Sequence, residues 1–377
     1  CMKACKFGAI IHTPNGAYID KTKCKNCGAC VKACPYNAIV DIERPCIKSC
    51  PVNAVDMDEH DLAIIDEDKC INCGQCVIKC PFGAIGAVSM MTNVINSIKN
   101  NPEHTYAMIA PSIEGQFGTA TIPALKQAVE ALGFKECYEI ALGADAVAWS
   151  EAQELVENIK EGKKMTTSCC PAFYNMIVKH YPEIKDRMST TGSPMLAAAR
   201  YLKEKDPEAE IVFIGPCVAK KHEVVSRYMG LISAALTFDE LAAMFAVKKV
   251  DPEKFEGGEE FATRYGKGFA RSGGVSASVL RVIEEEGLDL KPKVKVCNGA
   301  AECKVALQML KLGRLPEDII EGMACEGGCV NGPMRQKELF ESKKVFDKNV
   351  NVENDNIINT CKENGYGDLN IHVHNHG

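Results

Sequence analysis

Beyond residue 90 the chain alternates short, wholly apolar runs with stretches of helical period. That is the pattern of buried parallel strands joined by helices. Tyr106-Ala-Met-Ile-Ala110 reads as one strand, ending at Pro111-Ser112. Residues 120–132 have helical periodicity, and Cys137–Ala141 reads as a second strand. Ile211–Gly215 reads as a third, ending at Pro216-Cys217. Ser150-Glu-Ala-Gln153 has the form of a capping box and predicts a helix that starts at Ser150. On that helix Glu151 and Glu154 share one face. This part of the chain is expected to be α/β.

The first ninety residues lack this alternation and are punctuated by cysteine instead. Cys24, Cys27, Cys30, Cys34 and Pro35 form one run, and Cys70, Cys73, Cys76, Cys80 and Pro81 another. Each ends in a related phrase, Pro35-Tyr-Asn-Ala-Ile and Pro81-Phe-Gly-Ala-Ile, so the segment is an internal repeat. Two half-runs, Cys1-x3-Cys5 and Cys46-x3-Cys50-Pro51, precede related sequence. A disulfide scaffold is the competing reading of so many cysteines. Repeated C-x2-C-x2-C-x3-C-P spacing favours iron–sulfur clusters, because three close thiolates wrap one cube and the fourth reaches another. The segment resembles the bacterial two-cluster ferredoxin. By that resemblance Cys24, Cys27 and Cys30 share a cube with Cys80, and Cys70, Cys73 and Cys76 share one with Cys34. Cys1, Cys5, Cys46 and Cys50 are left over. Either these four bind a third cube, or Cys5 and Cys50 complete the two triads.

Composition changes the picture little. The chain has 377 residues, 46% hydrophobic and 25% charged, enough for two or three ordinary globular domains. A net charge of −6 gives no basic patch for nucleic acid. No apolar run reaches the roughly 18 residues of a membrane span, and no signal peptide is evident. The first residue is Cys, so a fragment lacking its natural start is expected. Reduced thiols point to a cytoplasmic protein.

Three more cysteine stretches carry the chemistry of the second half. They are Thr167-Ser-Cys-Cys-Pro171, Gly215-Pro-Cys-Val-Ala-Lys220 and Glu321-Gly-Met-Ala-Cys-Glu-Gly-Gly-Cys329. Thiolates are soft ligands that suit iron–sulfur clusters. Gly327 and Gly328 lack a Cβ and let backbone lie close to a bulky group. Neighbours in an extended stretch point opposite ways, so Cys169 and Cys170 are not equivalent.

Together these stretches resemble the three signature segments of the catalytic domain of iron-only hydrogenases, from about residue 24 to about residue 340. The resemblance implies a two-lobed α/β catalytic domain over residues 91–345. A small α+β ferredoxin-like domain would precede it over residues 1–90, and a C-terminal extension would cover residues 346–377. It implies an H-cluster, a 4Fe-4S cubane linked to a diiron unit with carbon monoxide, cyanide and dithiolate ligands. Cys170, Cys217, Cys325 and Cys329 would hold the cubane, and Cys329 would bridge to the diiron unit. Cys169 would stay free and exchange protons, where an inert buried thiol is the plainer reading. Glu151, Ser189 and Glu154 would relay protons, where a solvated acidic face is the plainer reading. Lys220, Met323, Pro111, Ser112, Gly215 and Pro216 would line the diiron site, and Arg271-Ser-Gly-Gly-Val275 would form a turn near it.

Some positions depart from the familiar branch. Gly215 stands where Met is frequent, Val330-Asn-Gly-Pro333 replaces a longer glycine run, and Ser193-Pro-Met195 stands where Ser-Pro-Gln is common. These features resemble the short monomeric branch often called group B. The implied reaction is the reversible reduction of protons to hydrogen. Ferredoxin would be its electron carrier, and maturation proteins would supply the diiron ligands. Clusters of this kind lie near −400 mV. At about 59 mV per pH unit the proton/hydrogen couple at neutral pH lies close by. A hydrogen sensor with low turnover and an iron–sulfur assembly scaffold are the alternatives. Cys137, Cys297, Cys303 and Cys361 have no role in this scheme and read as packed thiols. His372, His374 and His376 read as a disordered polar end.

Overall fold

The computed structural model describes residues 2–373 apart from 15, 26 and 41–43. Cys1, His374 and His376 therefore lie outside the described residues. The N-terminal part repeats one unit twice. In the first copy a helical turn over Met2–Ala4 precedes a hairpin of β1 (Ile10–Thr13) and β2 (Gly16–Ile19), then α1 (Ala29–Lys32). In the second, α2 (Pro45–Lys48) precedes a hairpin of β3 (Val55–Met57) and β4 (Ala63–Ile65), then α3 (Gln75–Lys79). Both hairpins are antiparallel. Gly28 and Gly74 open α1 and α3 with φ of 68° and 74°, a conformation that favours glycine.

One turn recurs four times. The N–H groups of Ala9, Ala38, Ala54 and Ala84 donate to the Sγ of Cys5, Cys34, Cys50 and Cys80 at 3.1–3.3 Å. Cys5 thus matches Cys50 in the repeat, and Cys34 matches Cys80.

The chain then passes through α4 (Met91–Asn100), β5 (Thr105–Ile109), α5 (Ile122–Glu130) and β6 (Glu136–Glu139). It continues through α6 (Ile140–Lys160), β7 (Met165–Thr166), α7 (Pro171–His180), α8 (Pro194–Lys205) and β8 (Glu210–Ile214). Next come α9 (Val218–Arg227), β9 (Ala234–Leu236), α10 (Phe238–Lys248), α11 (Arg264–Gly268) and α12 (Gly274–Glu285). β10 (Val294–Asn298), α13 (Ala300–Lys311), β11 (Ile319–Met323), α14 (Leu339–Asn349) and α15 (Ile357–Glu363) complete it. Two parallel sheets form, ordered β6-β5-β8-β9 and β10-β11-β7. Every residue of β5 and of β11 is buried, as strands covered on both faces require.

The expected strands at 106–110 and 211–215 each begin and end one residue earlier, and the helix at 120–132 is shorter at both ends. Two expectations are corrected. The apolar run Cys137–Ala141 is split, because β6 turns directly into α6 at Ile140. No helix starts at Ser150, which lies midway along α6. The alanine-rich Ile140–Trp149 stretch is itself helical and packs against α8, α12 and α15. A cap needs non-helical backbone, so the Ser150 hydroxyl turns instead to Thr191 Oγ1 at 2.8 Å. Gly143 lies where α6 meets α8, and a Cβ there would be 2.6 Å from the Pro194 carbonyl. The boundary expected after residue 345 falls inside α14. The segment beyond it joins the same body, since α15 packs on α6 and α12, with Ile357 and Cys361 fully buried.

Candidate active site

The signature cysteines sit at the carboxyl ends of parallel strands, where α/β sheets open their ligand crevices. Cys169-Cys170 follows β7, Pro216-Cys217 follows β8, Pro111-Ser112 follows β5, and Cys325 and Cys329 follow β11. One cavity is lined by all of these residues together with Lys220, Met323, Met195 and Phe269. It lies between the two sheets. Cys170 and Cys217 are the N-caps of α7 and α9, with extended backbone and no side-chain cap bond. Both therefore sit at the positive ends of two ten-residue helices.

Without a counter-charge the same crowding opposes ionisation. Burial first, and neighbouring cysteines second, push the Cys217 thiol up to about 11 and Cys329 up to about 12. Cys325 is driven well above its ordinary value by the same causes. Among the described residues no three His, Cys, Asp or Glu converge tightly enough for one bare ion.

Gly328 has φ +86°, and a Cβ there would meet the Ala270 carbonyl at 2.5 Å. Its small size thus serves the approach of the 270–271 backbone. That backbone belongs to the expected Arg271–Val275 turn, which buried Glu321 anchors. The Glu321 carboxylate accepts from Gly273 N at 2.7 Å and from Ser276 N and Oγ at 2.9 and 2.6 Å. At Gly215 a Cβ would lie 2.5 Å from the Phe213 ring. Phe213 lines the cavity, so glycine leaves room for that ring. Lys220 Nζ lines the cavity and donates to buried Glu223 Oε2 at 2.6 Å, with Arg227 3.4 Å from the other oxygen. Met323 is 2% exposed at the end of β11.

Cys169 is buried at one wall of this cavity. Burial, then the Glu151 charge, raises its thiol well above the ordinary value, so it is neutral. Glu151 on α6 is fully buried and neither oxygen makes a hydrogen bond of ordinary length. Burial and then Glu154 push its carboxyl up to about 8, while the Ser189 hydroxyl and Ser168 N–H beside it pull the other way. Ser189 Oγ donates to Glu154 Oε2 at 2.8 Å. The structure thus brings Cys169, Glu151, Ser189 and Glu154 into one line leading outward from the cavity.

A second group of thiols abuts the cavity. Cys50, Cys70, Cys73 and Cys76 line one pocket, and Cys73 also lines the active-site cavity. Cys50 is among the causes that raise the thiols of Cys70, Cys73 and Cys76, and Cys34 is not. Of the two pairings the sequence leaves open, Cys50 of the half-run is the thiol that shares this pocket, where α2 packs against α3. In the first unit the Met2–Ala4 turn packs against α1 in the same way and brings Cys5 towards its triad. Helix α7, which starts at the signature cysteine, clamps the 67–72 loop. Lys179 Nζ donates to the carbonyls of Glu67 and Cys70 at 2.7 and 2.8 Å, and Asn175 Nδ2 to Asn72 Oδ1 at 3.2 Å.

Residues 103–333 match the family described as iron only hydrogenase large subunit, C-terminal domain. The chain belongs to the iron-only hydrogenases. Residues 17–40 match a 4Fe-4S binding domain, and residues 40–91 the LdpA Fe-S cluster-binding domain. The periplasmic [Fe] hydrogenase large subunit of Nitratidesulfovibrio vulgaris is 32% identical over 370 residues, covering 83% of this chain and 85% of that protein. Iron hydrogenase 1 of Clostridium pasteurianum is 31% identical over 369 residues, covering 83% of this chain and 64% of that longer protein. The apo [FeFe]-hydrogenase HydA1 structure from Chlamydomonas reinhardtii superposes with a TM-score of 0.59 at 20% identity, over 69% of this chain and 88% of that one. This hydrogenase is thus an oxidoreductase of a family that interconverts protons and hydrogen and carries the H-cluster, with an N-terminal iron–sulfur region. No described helix is long and apolar enough to cross a membrane.

The hydrogenase's cavity fits such a group on its own chemistry. Six cysteines line it, among them Cys170, Cys217, Cys325 and Cys329, and the Ser112 hydroxyl in its wall is buried without a partner. Sequence reasoning missed two sets of residues. One is the clamp on the 67–72 loop, for which no short motif exists. The other is a buried charged group of Glu114, Glu139 and Lys267 behind the Ser112 wall, with Glu260 paired to Lys267 from the surface. Burial pushes Glu114 up to about 8 and Glu139 up to about 7.

Proposed function

We propose that this hydrogenase turns over hydrogen with electrons delivered by ferredoxin through its N-terminal clusters. The observation that carries this reading is the single cavity that gathers Cys170, Cys217, Cys325 and Cys329 with free Cys169 and Lys220, and adjoins the Cys50/Cys70/Cys73/Cys76 group. Those first four cysteines would hold the cubane. When bound, the H-cluster supplies the redox chemistry and an open iron site for hydrogen. Lys220, held by Glu223, would have protons left to donate to that group. Met323, Phe213 and Phe269 keep water from the cavity. Cys169 holds a proton at Sγ, and Glu151, Ser189 and Glu154 carry it to and from the surface. The described cysteines form no disulfide, which suits a reducing cytoplasm. Dedicated maturation proteins would supply the ligands that no side chain provides, and the chain would act as a monomer.

The test is hydrogen evolution from reduced ferredoxin after maturation, beside infrared bands of iron-bound carbonyl and cyanide. Turnover supports the proposal. Intact bands with negligible turnover would replace it with a sensor.

The wire makes a separate prediction. Cys50→Ala should remove about four iron atoms per chain, one cube, and slow ferredoxin-driven turnover. Cys34→Ala should leave the cube beside the cavity intact. Iron analysis and electron paramagnetic resonance distinguish this from the exchanged pairing, which demands the opposite result.

A further inference from the structure

The outer end of the proton line does not stop at bare solvent. Residues 370–373 lie along the 189–192 loop that carries Ser189. His372 forms an antiparallel bridge with Thr191, Gly192 N donates to the Ile371 carbonyl at 2.8 Å, and Val373 N donates to the Thr190 carbonyl at 2.9 Å. Ile371 is buried, and the Arg200 guanidinium on α8 holds the carbonyls of Asn370 and His372. This strap sets the His372 ring over the relay's exit. Its Nδ1 is 3.0 Å from Thr190 Oγ1, and its Nε2 is 3.4 Å from Ser150 Oγ. Thr190 N in turn donates to Glu154 at 2.9 and 3.1 Å. His372 and Glu154 line one surface pocket with Ser150, Gln153, Glu157 and Glu161. The pocket is polar and open, so water can bridge the carboxyl and the ring.

We propose that His372 exchanges protons between solvent and Glu154, and so completes the outer end of the relay. The step is a proton transfer only. The O–H bond at Glu154 breaks, an N–H bond forms on the imidazole, and the proton passes to water or buffer; uptake runs in reverse. Imidazole suits this place because it changes charge between pH 5 and 8. The charged groups that face the ring are Glu154, Glu157 and Glu161 from α6 and Arg200 from α8. The carboxylates attract a proton to this mouth, and Arg200 is tied to the strap's backbone. The expected disordered end thus has an ordered part with a place in the hydrogenase's proton traffic.

The proposal rests on the relay reading, and the test separates the two. Matured His372→Gln keeps an amide able to bond Thr190 and Ser150 but cannot carry the proton. Its turnover should fall about tenfold in dilute non-exchanging buffer and recover to near parent on adding imidazole. Its pH profile should lose the limb that the parent shows between pH 5 and 8. In the unmatured protein, Glu154→Gln should shift the His372 ring resonances, because carboxyl and ring share one pocket. Parent-like turnover in His372→Gln, a loss that imidazole does not restore, or unchanged ring resonances would each overturn the exit role. If Glu154→Gln and Glu151→Gln themselves turn over like the parent, the relay reading fails first.

Discussion

Cys169→Ala is expected to slow hydrogen turnover by roughly 10²- to 10⁴-fold while the iron content of the matured protein stays at the parent's value. That is the range a positioned proton-transfer group contributes. It corresponds to about 2.7–5.4 kcal/mol of barrier at 1.36 kcal/mol per tenfold change. The thiol is the cavity-wall cysteine held neutral by burial and by Glu151. Glu151 is held protonated up to about pH 8 by burial and by Glu154. A neutral donor beside a neutral carboxylic acid can pass a proton without leaving a bare charge in an apolar pocket. Alanine removes the thiol that lines the cavity and feels the Glu151 carboxyl. Cys169→Ser should not rescue, since a hydroxyl holds its proton far more tightly than a thiol. Hydrogen evolution, iron analysis and the carbonyl and cyanide bands are read on one preparation. A variant with intact bands that keeps more than a tenth of the parent's rate would remove Cys169 from the proton path.

What was legible beforehand divides by range. The strands at β5 and β8 were visible because a buried parallel strand is a run of apolar residues closed by Pro, a purely local signal. The start of α6 was not. Ser150 and Gln153 imitate a helix start, and only the packing of Ile140–Trp149 against α8, α12 and α15 shows that the helix is already under way. The gathering of Cys170, Cys217, Cys325 and Cys329 came from resemblance to a family, and no periodicity in this chain implies it. The ferredoxin spacing named the thiols of the wire but not their partners. The two long runs imitate one exchanged pair, whereas the fold repeats a unit that sets Cys50 of the half-run beside the second triad. That distinction depends on α2 lying against α3, a contact across some thirty residues that spacing does not encode. His372 escaped for a related reason, since its strap is held by backbone bonds to residues 190–192.

Cys325→Ala is expected to abolish turnover and the carbonyl and cyanide bands, and to lower iron by the cubane and the diiron unit together. The unmatured chain, by contrast, should melt within about 1 kcal/mol of the parent, in the range of substitutions that break no packing or buried hydrogen bond. The thiol is one of six that line one cavity. Its ionisation is opposed by burial and then by Cys217, Cys170 and Cys329, in that order. Iron reverses that cost, because cluster binding takes up the thiolates and releases their protons. The residue therefore does little for the empty fold and is decisive for the loaded one. Cys361→Ala is the opposite case. Cys361 is fully buried against α6 and faces no other thiol among its leading influences, only Asp145 and Glu285. Its truncation should leave a small void and cost about 1–3 kcal/mol of stability while iron and turnover remain. The pair separates anchoring from packing on one molecule. Full iron content in Cys325→Ala would mean that the cubane does not need this corner, and the assignment of the four cysteines to one cluster would fail with it.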